Sequence, residues 1–298
     1  MAAKPILAVG SIALDTIETP HGGRQEVLGG SATFFGVAAA LFAPVRLVGV
    51  VGTDFPDAGW QLLEDRGIDV TDVQRVKGAT FRWGGRYSAD LDSRETLFTE
   101  LGVFKNFRPS LTDANRDCRI VYLGNIQPSL QLAICAEMRN GPAIISDTMN
   151  LWIDRNLDEL KQVLALSHIL LISDEEALQL TGQSEVAQAT DRLLELGPAT
   201  VVVKLGRAGA ILATGSERTL IPIYHPAPRV DPTGAGDSFA GGLIGHLANH
   251  GGADMVAAVI MGTATASYTI EGFGLEGLLK ATPEGIRARA EAVRQAMD

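Results

Sequence analysis

Short apolar runs rich in β-forming residues alternate along this chain with segments of helical pattern, and this alternation limits the possible folds more than any other feature. The first two runs are ILAV at 6–9 and VRLVGVVG at 45–52, and four later ones read RIVYLG, AIISD, HILLIS and TVVVKLG. Near-continuous apolar strands separated by helices are typical of a parallel sheet covered on both faces. We therefore predict an α/β fold, a doubly wound and mostly parallel sheet flanked by helices, with ligands at the carboxyl ends of the strands.

Two segments break the alternation and predict a small antiparallel β flap beside the main sheet. They span about residues 13–29 and 79–101, and the second shows strand-like alternation without a helical period. Trp83, Tyr87 and Phe98 would be exposed on an isolated flap. A covered substrate or a partner subunit is therefore favoured over a surface hairpin without function.

The composition is that of a globular protein with a substantial core. The 298 residues, 46% of them hydrophobic, contain no repeat or linker, so we predict a single domain over 1–298. Twenty-five basic against 35 acidic residues give a net charge of −10, which argues against nucleic acid as a partner. No apolar run is long enough for a membrane span. Two cysteines without CxxC spacing fit a reducing compartment, and we expect a cytoplasmic protein.

A turn that leads into a helix, at 230–248, carries the strongest chemical signal. The sequence VDPTGAGDSFAGGLIGHLA places Gly234 and Gly236 just before a helical pattern that begins at Asp237. The unpaired amides and the dipole of a helix N-terminus, together with glycines that let a ligand approach, suit a phosphate group. An ordinary turn capped by Asp231 or Thr233 is the alternative that the spacing leaves open.

Asp237 needs a reason to stand beside such a site, because a phosphate would repel its carboxylate. One reason is to orient and deprotonate a hydroxyl group that attacks the phosphorus. We expect the helix N-terminus to keep Asp237 ionised at neutral pH, which makes it a weak base. Phosphoryl transfer asks mainly for positioning and charge stabilisation, so a weak base suffices.

The segment DPTGAGDSF resembles the signature of the ribokinase, or PfkB, family of carbohydrate and nucleoside kinases, D-T-x-G-A-G-D-x-F. Other family segments have counterparts in the same order over nearly the whole chain. They are GSIALD, which ends at Asp15; LGGSATFFGVAAAL, with Gly29 and Gly30 at its hinge; SDEEALQLTG at 173–182; and VVVKLGRAGA at 201–210. The flap would be the family's lid. The resemblance implies a ribokinase-like fold and transfer of the γ-phosphoryl group of ATP to a hydroxyl.

The resemblance also implies roles for individual residues. Asp237 would be the catalytic base, and the amides of Gly234, Ala235 and Gly236 would hold the transferred phosphoryl group. Glu176 would organise Mg²⁺ through water, since Mg²⁺ usually keeps several waters. The residues implied at the nucleotide are Lys204, Gly206, Gly209 and Thr233. ATP and Mg²⁺ are thus expected, and a monovalent cation is common among relatives.

Two positions depart from the family pattern. Ser173 stands where the family has Asn, and its shorter side chain weakens the case for a metal or phosphate contact there. Lys204 stands where a small hydroxyl residue is common. Its ammonium group could pair with a phosphate or point into solvent.

Asp15 is the first candidate for the substrate, because a carboxylate at a strand end can accept hydrogen bonds from a vicinal diol. The other candidates for substrate binding are Gly29, Gly30, Asn125, Asp147, Asn150 and Arg82. Arg82 and Arg86 lie on the flap and could instead pair with Asp90 or Glu95 on the same sheet.

Phe34 and Phe35 stand where some sugar kinases have polar side chains. They hint at a less polar pocket, for a nucleoside base or a cyclitol, unless they face the core. The leading hypothesis is an ATP- and Mg²⁺-dependent kinase of a sugar or sugar-like alcohol, with a nucleoside or inositol kinase as the alternative and a homodimer formed through the lid.

Two hypotheses come from other classes of protein. A non-catalytic family member, acting as a binding or regulatory module, is disfavoured by the intact Gly-Ala-Gly-Asp run at 234–237. A dinucleotide-dependent oxidoreductase is disfavoured because GSIALD follows the first strand in place of GxGxxG.

Overall fold

Thirteen strands form two sheets in the computed structural model, which describes residues 3–225, 228–251 and 254–297. The strands are β1 Ile6–Val9, β2 Ala13–Thr19, β3 Gly22–Gly29, β4 Val45–Gly52, β5 Asp69–Val76, β6 Phe81–Tyr87, β7 Arg94–Glu100, β8 Ile120–Leu123, β9 Ala143–Asp147, β10 Ile169–Ser173, β11 Thr200–Lys204, β12 Ala210–Thr214 and β13 Glu217–Ile221. Nine form the main sheet in the order β13-β12-β11-β10-β9-β8-β1-β4-β5. Its pairs from β5 to β11 are parallel, and β12 and β13 complete it antiparallel.

Helices cover both faces of the main sheet. They are α1 Ser31–Ala39, α2 Asp57–Asp65, α3 Asp113–Arg116, α4 Pro128–Glu137, α5 Asn150–Arg155, α6 Leu157–Leu166, α7 Asp174–Thr181, α8 Val186–Glu195, α9 Ala235–His250, α10 Met255–Thr269 and α11 Pro283–Gln295. Among the described residues no helix is long and apolar enough to cross a membrane. The predicted α/β architecture is confirmed.

The apolar strands are buried on both faces, which explains why their sequences do not alternate with polar residues. In β1, Ile6 and Ala8 join the core on one face, while Leu7 and Val9 join the core on the other. Each of the four is fully buried. Successive side chains of a strand point to opposite faces, so a sheet covered twice needs apolar residues at every position.

Helix α9 packs closely against α1 and α10 through glycines. A Cβ at Gly241 would lie 2.6 Å from the Cβ of Ala38 in α1, and one at Gly242 would lie 2.3 Å from the hydroxyl oxygen of Thr265 in α10. Larger residues would force these helices apart. The glycines therefore hold the N-terminus of α9 in place.

The second sheet has the strand order β3-β2-β6-β7 and lies within the two segments predicted for the flap. The pairs β2–β3 and β6–β7 are antiparallel, but β2 and β6 are parallel, so the lid sheet is mixed and the prediction of an antiparallel flap was wrong in this respect. The reason is topological. Strands β1 and β5 run parallel in the main sheet, and each leads into one hairpin, so the first strands of both hairpins run the same way.

Candidate active site

The turn before α9 is held by a buried carboxylate. Oδ1 of Asp231 accepts a hydrogen bond from the amide of Thr233 at 2.9 Å, and Oδ2 accepts one from the amide of Gly274 at 2.8 Å. Asp231 is completely buried, so these bonds replace its hydration. The capped turn and the phosphate cradle were posed as alternatives, and the structure combines the cap with a helix N-terminus that opens to a cleft.

Gly234 is the N-cap of α9, with left-handed backbone at φ 73°. A Cβ there would lie 2.3 Å from the ring of Phe34, so the turn lies flat on that ring. Phe34 and Phe35 are both buried in the core, and the hint that they line a less polar substrate pocket was wrong. Phe34 instead supports the turn.

The amides of this turn are not all available to a ligand. Ala235, predicted as one of three donors, donates its N–H to the carbonyl oxygen of Pro232 at 3.1 Å, which corrects that prediction. In the described part of the chain, the amides of Gly234, Gly236 and Asp237 have no acceptor within hydrogen-bonding distance. These three amides, at a helix N-terminus, are an anion cradle.

Asp237 belongs to a cluster of polar side chains that three strands and α9 bring together. The hydroxyl of Tyr122, at the end of β8, lies 3.4 Å from Oδ1 of Asp237 and 3.5 Å from Oδ2 of Asp147. Nζ of Lys204, at the end of β11, lies 3.2 Å from Oδ2 of Asp147. Lys204 therefore points into the site and not into solvent. Its ammonium would lie 3.3 Å from a Cβ at Gly236, directly over the cradle.

Sequence reasoning missed Tyr122. Its ring is completely buried and stacks on Phe35 with centroids 4.1 Å apart, and burial raises its pKa well above the ordinary value. The hydroxyl thus remains a hydrogen-bond donor between two carboxylates. A tyrosine in the otherwise aliphatic run RIVYLG was the signal that could have shown it.

The electrostatics of Asp237 differ from the expectation of a carboxylate kept ionised by the helix. Burial raises its pKa to about 7, the nearby charge of Asp147 adds to the rise, and Lys204 opposes it. Desolvation outweighs the helix N-terminus because the carboxyl is surrounded by protein. A carboxyl with such a pKa is a stronger base than an ordinary aspartate.

Ser173 caps a helix. Its hydroxyl accepts a hydrogen bond from the amide of Glu176 at 3.3 Å, and Oε2 of Glu176 accepts one from the amide of Ser173 at 2.9 Å. These two hydrogen bonds form a capping box at the start of α7. Burial raises the pKa of Glu176, and the charge of Lys204 opposes the rise. Ser173 therefore has a structural role as the N-cap of α7.

The oxygen ligands available around Glu176 suit a Mg²⁺ ion whose coordination is completed mostly by water. No group of three or more His, Cys, Asp or Glu side chains in the described residues can form a metal cage. Glu176 faces the cleft, and one carboxylate oxygen is engaged by the capping box while the other has no protein partner among those residues. One or two carboxylates and several waters are the usual protein contribution to Mg²⁺.

Asp15 and the glycine pair form the part of the site next to the lid. A Cβ at Gly29 would lie 1.9 Å from Oδ2 of Asp15, so glycine is required there to make room for the carboxyl. Gly30 follows Gly29 with left-handed backbone at φ 92°, and its amide opposes the rise in the pKa of Asp15 that burial causes. Burial raises the pKa of Asp15 to about 7, and the charges of Asp231 and Asp237 add to the rise, which places Asp15 in the same electrostatic environment as the proposed base.

Three substrate candidates lie elsewhere or have other partners. Arg82 pairs with Glu26 at 3.0 Å and with Asp54 at 2.8 Å, which ties the lid to the main domain and corrects both its predicted substrate role and its predicted pairing with Asp90 or Glu95. Oδ1 of Asn125 accepts a hydrogen bond from the indole N–H of Trp152 at 2.8 Å. Asn150 lines the cleft, and its side-chain amide donates a hydrogen bond to Gln179.

A cleft of about 620 Å³ runs from the cradle to the turn after β11. Gly206 and Gly209, the two glycines predicted at the nucleotide, line it, and a Cβ at Gly209 would lie 2.1 Å from the carbonyl oxygen of Ile221. The hairpin β6–β7 forms its opposite wall. There the hydroxyl of Thr233 donates to that of Tyr87 at 3.0 Å. Sequence reasoning placed the lid over the substrate but not along this cleft.

Comparison with known proteins agrees with this geometry. A family model described as pfkB family carbohydrate kinase matches residues 4–281. The cytidine kinase of Thermococcus kodakarensis is 29% identical over 245 residues, covering 80% of this chain and 87% of that protein. The aminoimidazole riboside kinase of Salmonella typhimurium is 28% identical over 265 residues, covering 82% of this chain and 81% of that protein.

Solved structures share the fold. An E. coli ribokinase II candidate, in complex with ATP and Mg²⁺, superposes with a TM-score of 0.82 at 22% identity, over 97% of this chain and 99% of the other. The chain belongs to the pfkB family of carbohydrate kinases, because the family model spans nearly all of it. It is a phosphotransferase with an alcohol group as acceptor, and the resemblance read from the sequence is confirmed.

Proposed function

We propose that this chain transfers the γ-phosphoryl group of ATP to a hydroxyl of a nucleoside or similar riboside, with Asp237 as the base. The observation that carries the proposal is the juxtaposition of the Asp237 carboxyl with unpaired amides at the mouth of α9, under the ammonium of Lys204. A base, an anion cradle and a fixed cation, grouped at the start of one helix, are the groups that phosphoryl transfer requires.

The chemistry follows from these groups. Asp237 accepts the proton of the substrate hydroxyl while the oxygen of that hydroxyl forms a bond to the γ-phosphorus. The bond from that phosphorus to the β–γ bridging oxygen breaks, and its electron pair leaves with ADP. The amides of Gly234, Gly236 and Asp237 donate to the oxygens of the moving group, and Lys204 balances their charge. Glu176 would hold Mg²⁺ through water, and the bound ion would supply further positive charge at the phosphates.

Two observations support a riboside as the acceptor. Both relatives described above are named as kinases of ribosides, cytidine and aminoimidazole riboside. In this chain, Asp15 pairs with Trp83 across β2 and β6, so the two side chains lie on the same face of the lid sheet. A carboxylate suits the ribose diol, and a neighbouring indole suits a stacked base. Free sugars and cyclitols share the diol but not the base.

The test measures ADP release with a panel of cytidine, other nucleosides, ribose, fructose and inositol. We expect turnover to be highest with a nucleoside. Asp237→Asn should lower kcat by about 10²- to 10⁴-fold and leave ATP affinity within a few-fold, because it removes proton acceptance but not the cradle. Asp65→Asn, at the exposed end of α2 where no ion pair is formed, is the matched control.

Two outcomes would contradict the proposal. Wild-type turnover in Asp237→Asn would remove this carboxyl from the mechanism. Turnover with ribose or inositol but with no nucleoside would keep the kinase and reject the riboside.

A further inference from the structure

One arginine of the lid faces the reaction site. Arg94 is the first residue of β7 and pairs with Tyr87 of β6, so both side chains lie on one face of the hairpin. That face lines the cleft, as do Lys204 and Gly236. The guanidinium of Arg94 also lies over the ring of Trp83, 5.7 Å from its centroid, within cation–π distance.

The charge of Arg94 has no partner of opposite charge in the described part of the chain. No carboxylate within residues 3–225, 228–251 and 254–297 lies close enough to pair with it. By contrast, Arg86, which pairs with Glu95 one step along the same hairpin, points to the outer face and forms ion pairs with Glu18 and Glu95. A cation left unpaired in a cleft is available to an anionic ligand.

The tip of the hairpin is fastened over the cleft by contacts from two separate turns. Asp92 accepts hydrogen bonds from Arg207 at 3.2 Å and from Arg229 at 2.7 Å. The same arginines donate to the backbone carbonyls of Asp90 and Leu91. With the Tyr87–Thr233 bond, these contacts hold the start of β7 against the turn that forms the anion cradle.

Electrostatics place Arg94 near the reacting groups. Burial raises the pKa of Asp237, and the charge of Arg94 is one of the influences that oppose the rise. Burial also raises the pKa of Tyr87, and Arg94 opposes that rise most strongly. The cleft is thus lined by both the ammonium-bearing Lys204 and the guanidinium-bearing Arg94, together with Gly236 of the cradle.

We propose that Arg94 is a further catalytic residue, which contacts the γ-phosphoryl group from the lid side and is brought there by the fastened hairpin. This inference rests on the proposed function. During transfer the hydroxyl proton goes to Asp237, the new O–P bond forms and the β–γ bridge breaks, while Arg94 keeps its protons throughout. Its fixed charge stabilises the equatorial oxygens as they move between donor and acceptor.

The experiment compares ADP with the ATP analogue AMP-PNP, each with Mg²⁺, by titration calorimetry on the full chain. Arg94→Ala should weaken AMP-PNP binding about tenfold and leave ADP binding unchanged, because ADP lacks the γ-group. With the acceptor identified by the panel, kcat should fall about 10²-fold or more while the acceptor KM changes little. Arg94→Lys should recover part of both losses.

Arg86→Ala is the matched control, on the same hairpin but on its outer face, and should match the wild type in both measurements. Thermal melts of all variants show whether the hairpin is intact. The proposal would be overturned if Arg94→Ala and Arg86→Ala had the same ratio of the AMP-PNP dissociation constant to the ADP dissociation constant, even if Asp237→Asn abolishes turnover. If the wild type bound neither nucleotide, the proposed function and this inference would both be rejected.

Discussion

At the scale of single residues, Asp237 illustrates how burial and a helix N-terminus compete over one carboxyl group. The sequence places it in the first turn of α9, where the helix favours the ionised form. The fold buries it beside Asp147, and the result is a pKa of about 7. Burial and the neighbouring charge of Asp147 make the ionised form of Asp237 costly, and the charge of Lys204 opposes this only in part.

The activity should therefore depend on pH near neutrality. Because Asp237 accepts a proton only when ionised, we expect kcat/KM to rise through an apparent pKa of about 7 and to fall below it. In the wild type, the hydroxyl of Tyr122 lies 3.4 Å from Oδ1 of Asp237 and lowers the pKa of Asp237. Tyr122→Phe removes this hydroxyl. In this variant the acidic limb of the kcat/KM profile should move to higher pH. A limb that stays in place, or moves to lower pH, would contradict this arrangement.

The stability of the fold should also depend on pH through Asp15. Its pKa is about 7 in the folded protein against an ordinary 3.8, so between these values the folded chain holds a proton that the unfolded chain has released. Stability must then fall as the pH rises through this window, by roughly 4 kcal/mol at most. Asp15→Asn should raise the Tm by a few °C at pH 8 and leave it unchanged at pH 4, whereas Asp65→Asn should change neither. A destabilised Asp15→Asn at pH 8 would show that the ionised form is favoured.

At the scale of secondary-structure elements, the start of α7 explains why a serine can occupy the position of the family's asparagine. Ser173 and Glu176 satisfy two otherwise unpaired amides of that helix. The same capping box turns the Glu176 carboxyl toward the cleft. The element therefore links helix stability to the presentation of the proposed magnesium contact.

Substitutions at Ser173 should separate the cap from any contact with a ligand. Ser173→Ala should lower the free energy of unfolding by about 1 kcal/mol, because it leaves the amide of Glu176 unpaired. Ser173→Asn should keep the stability, since asparagine caps helices as well as serine does. Ser184→Ala, at an exposed position between α7 and α8, is the control for chemical denaturation. Equal midpoints for Ser173→Ala and Ser184→Ala would show that the cap contributes nothing.

At the scale of the whole molecule, the proposed active site is assembled from distant parts of the chain. Tyr122, Asp147 and Lys204 stand at the ends of three parallel strands, which meet at one edge of the sheet. Helix α9 brings Asp237 to that edge, and the lid brings Arg94 from the opposite side. Predictions of a homodimer through the lid, a monovalent cation and a cytoplasmic location stay predictions.

Much of the fold and part of the site could be predicted because their signals are local. The apolar runs and the Gly-Ala-Gly-Asp turn depend on neighbouring residues, and the sheet and the cradle follow from them. The Ala235 amide was assigned wrongly because a hydrogen bond to Pro232 is a property of turn geometry. Arg82 was assigned wrongly because its partners Glu26 and Asp54 are far away in sequence.

The sequence by itself determined the architecture, the position of the phosphate turn and the identity of the proposed base, since periodicity and turn chemistry act over a few residues. The tertiary structure alone decided the protonation of Asp237, the pairing of Lys204 with Asp147 and the approach of Arg94. These depend on desolvation and on distances between side chains far apart in the sequence, such as Lys204 and Asp147 at 57 residues or Tyr122 and Asp237 at 115, and such distances exist only once the chain is folded.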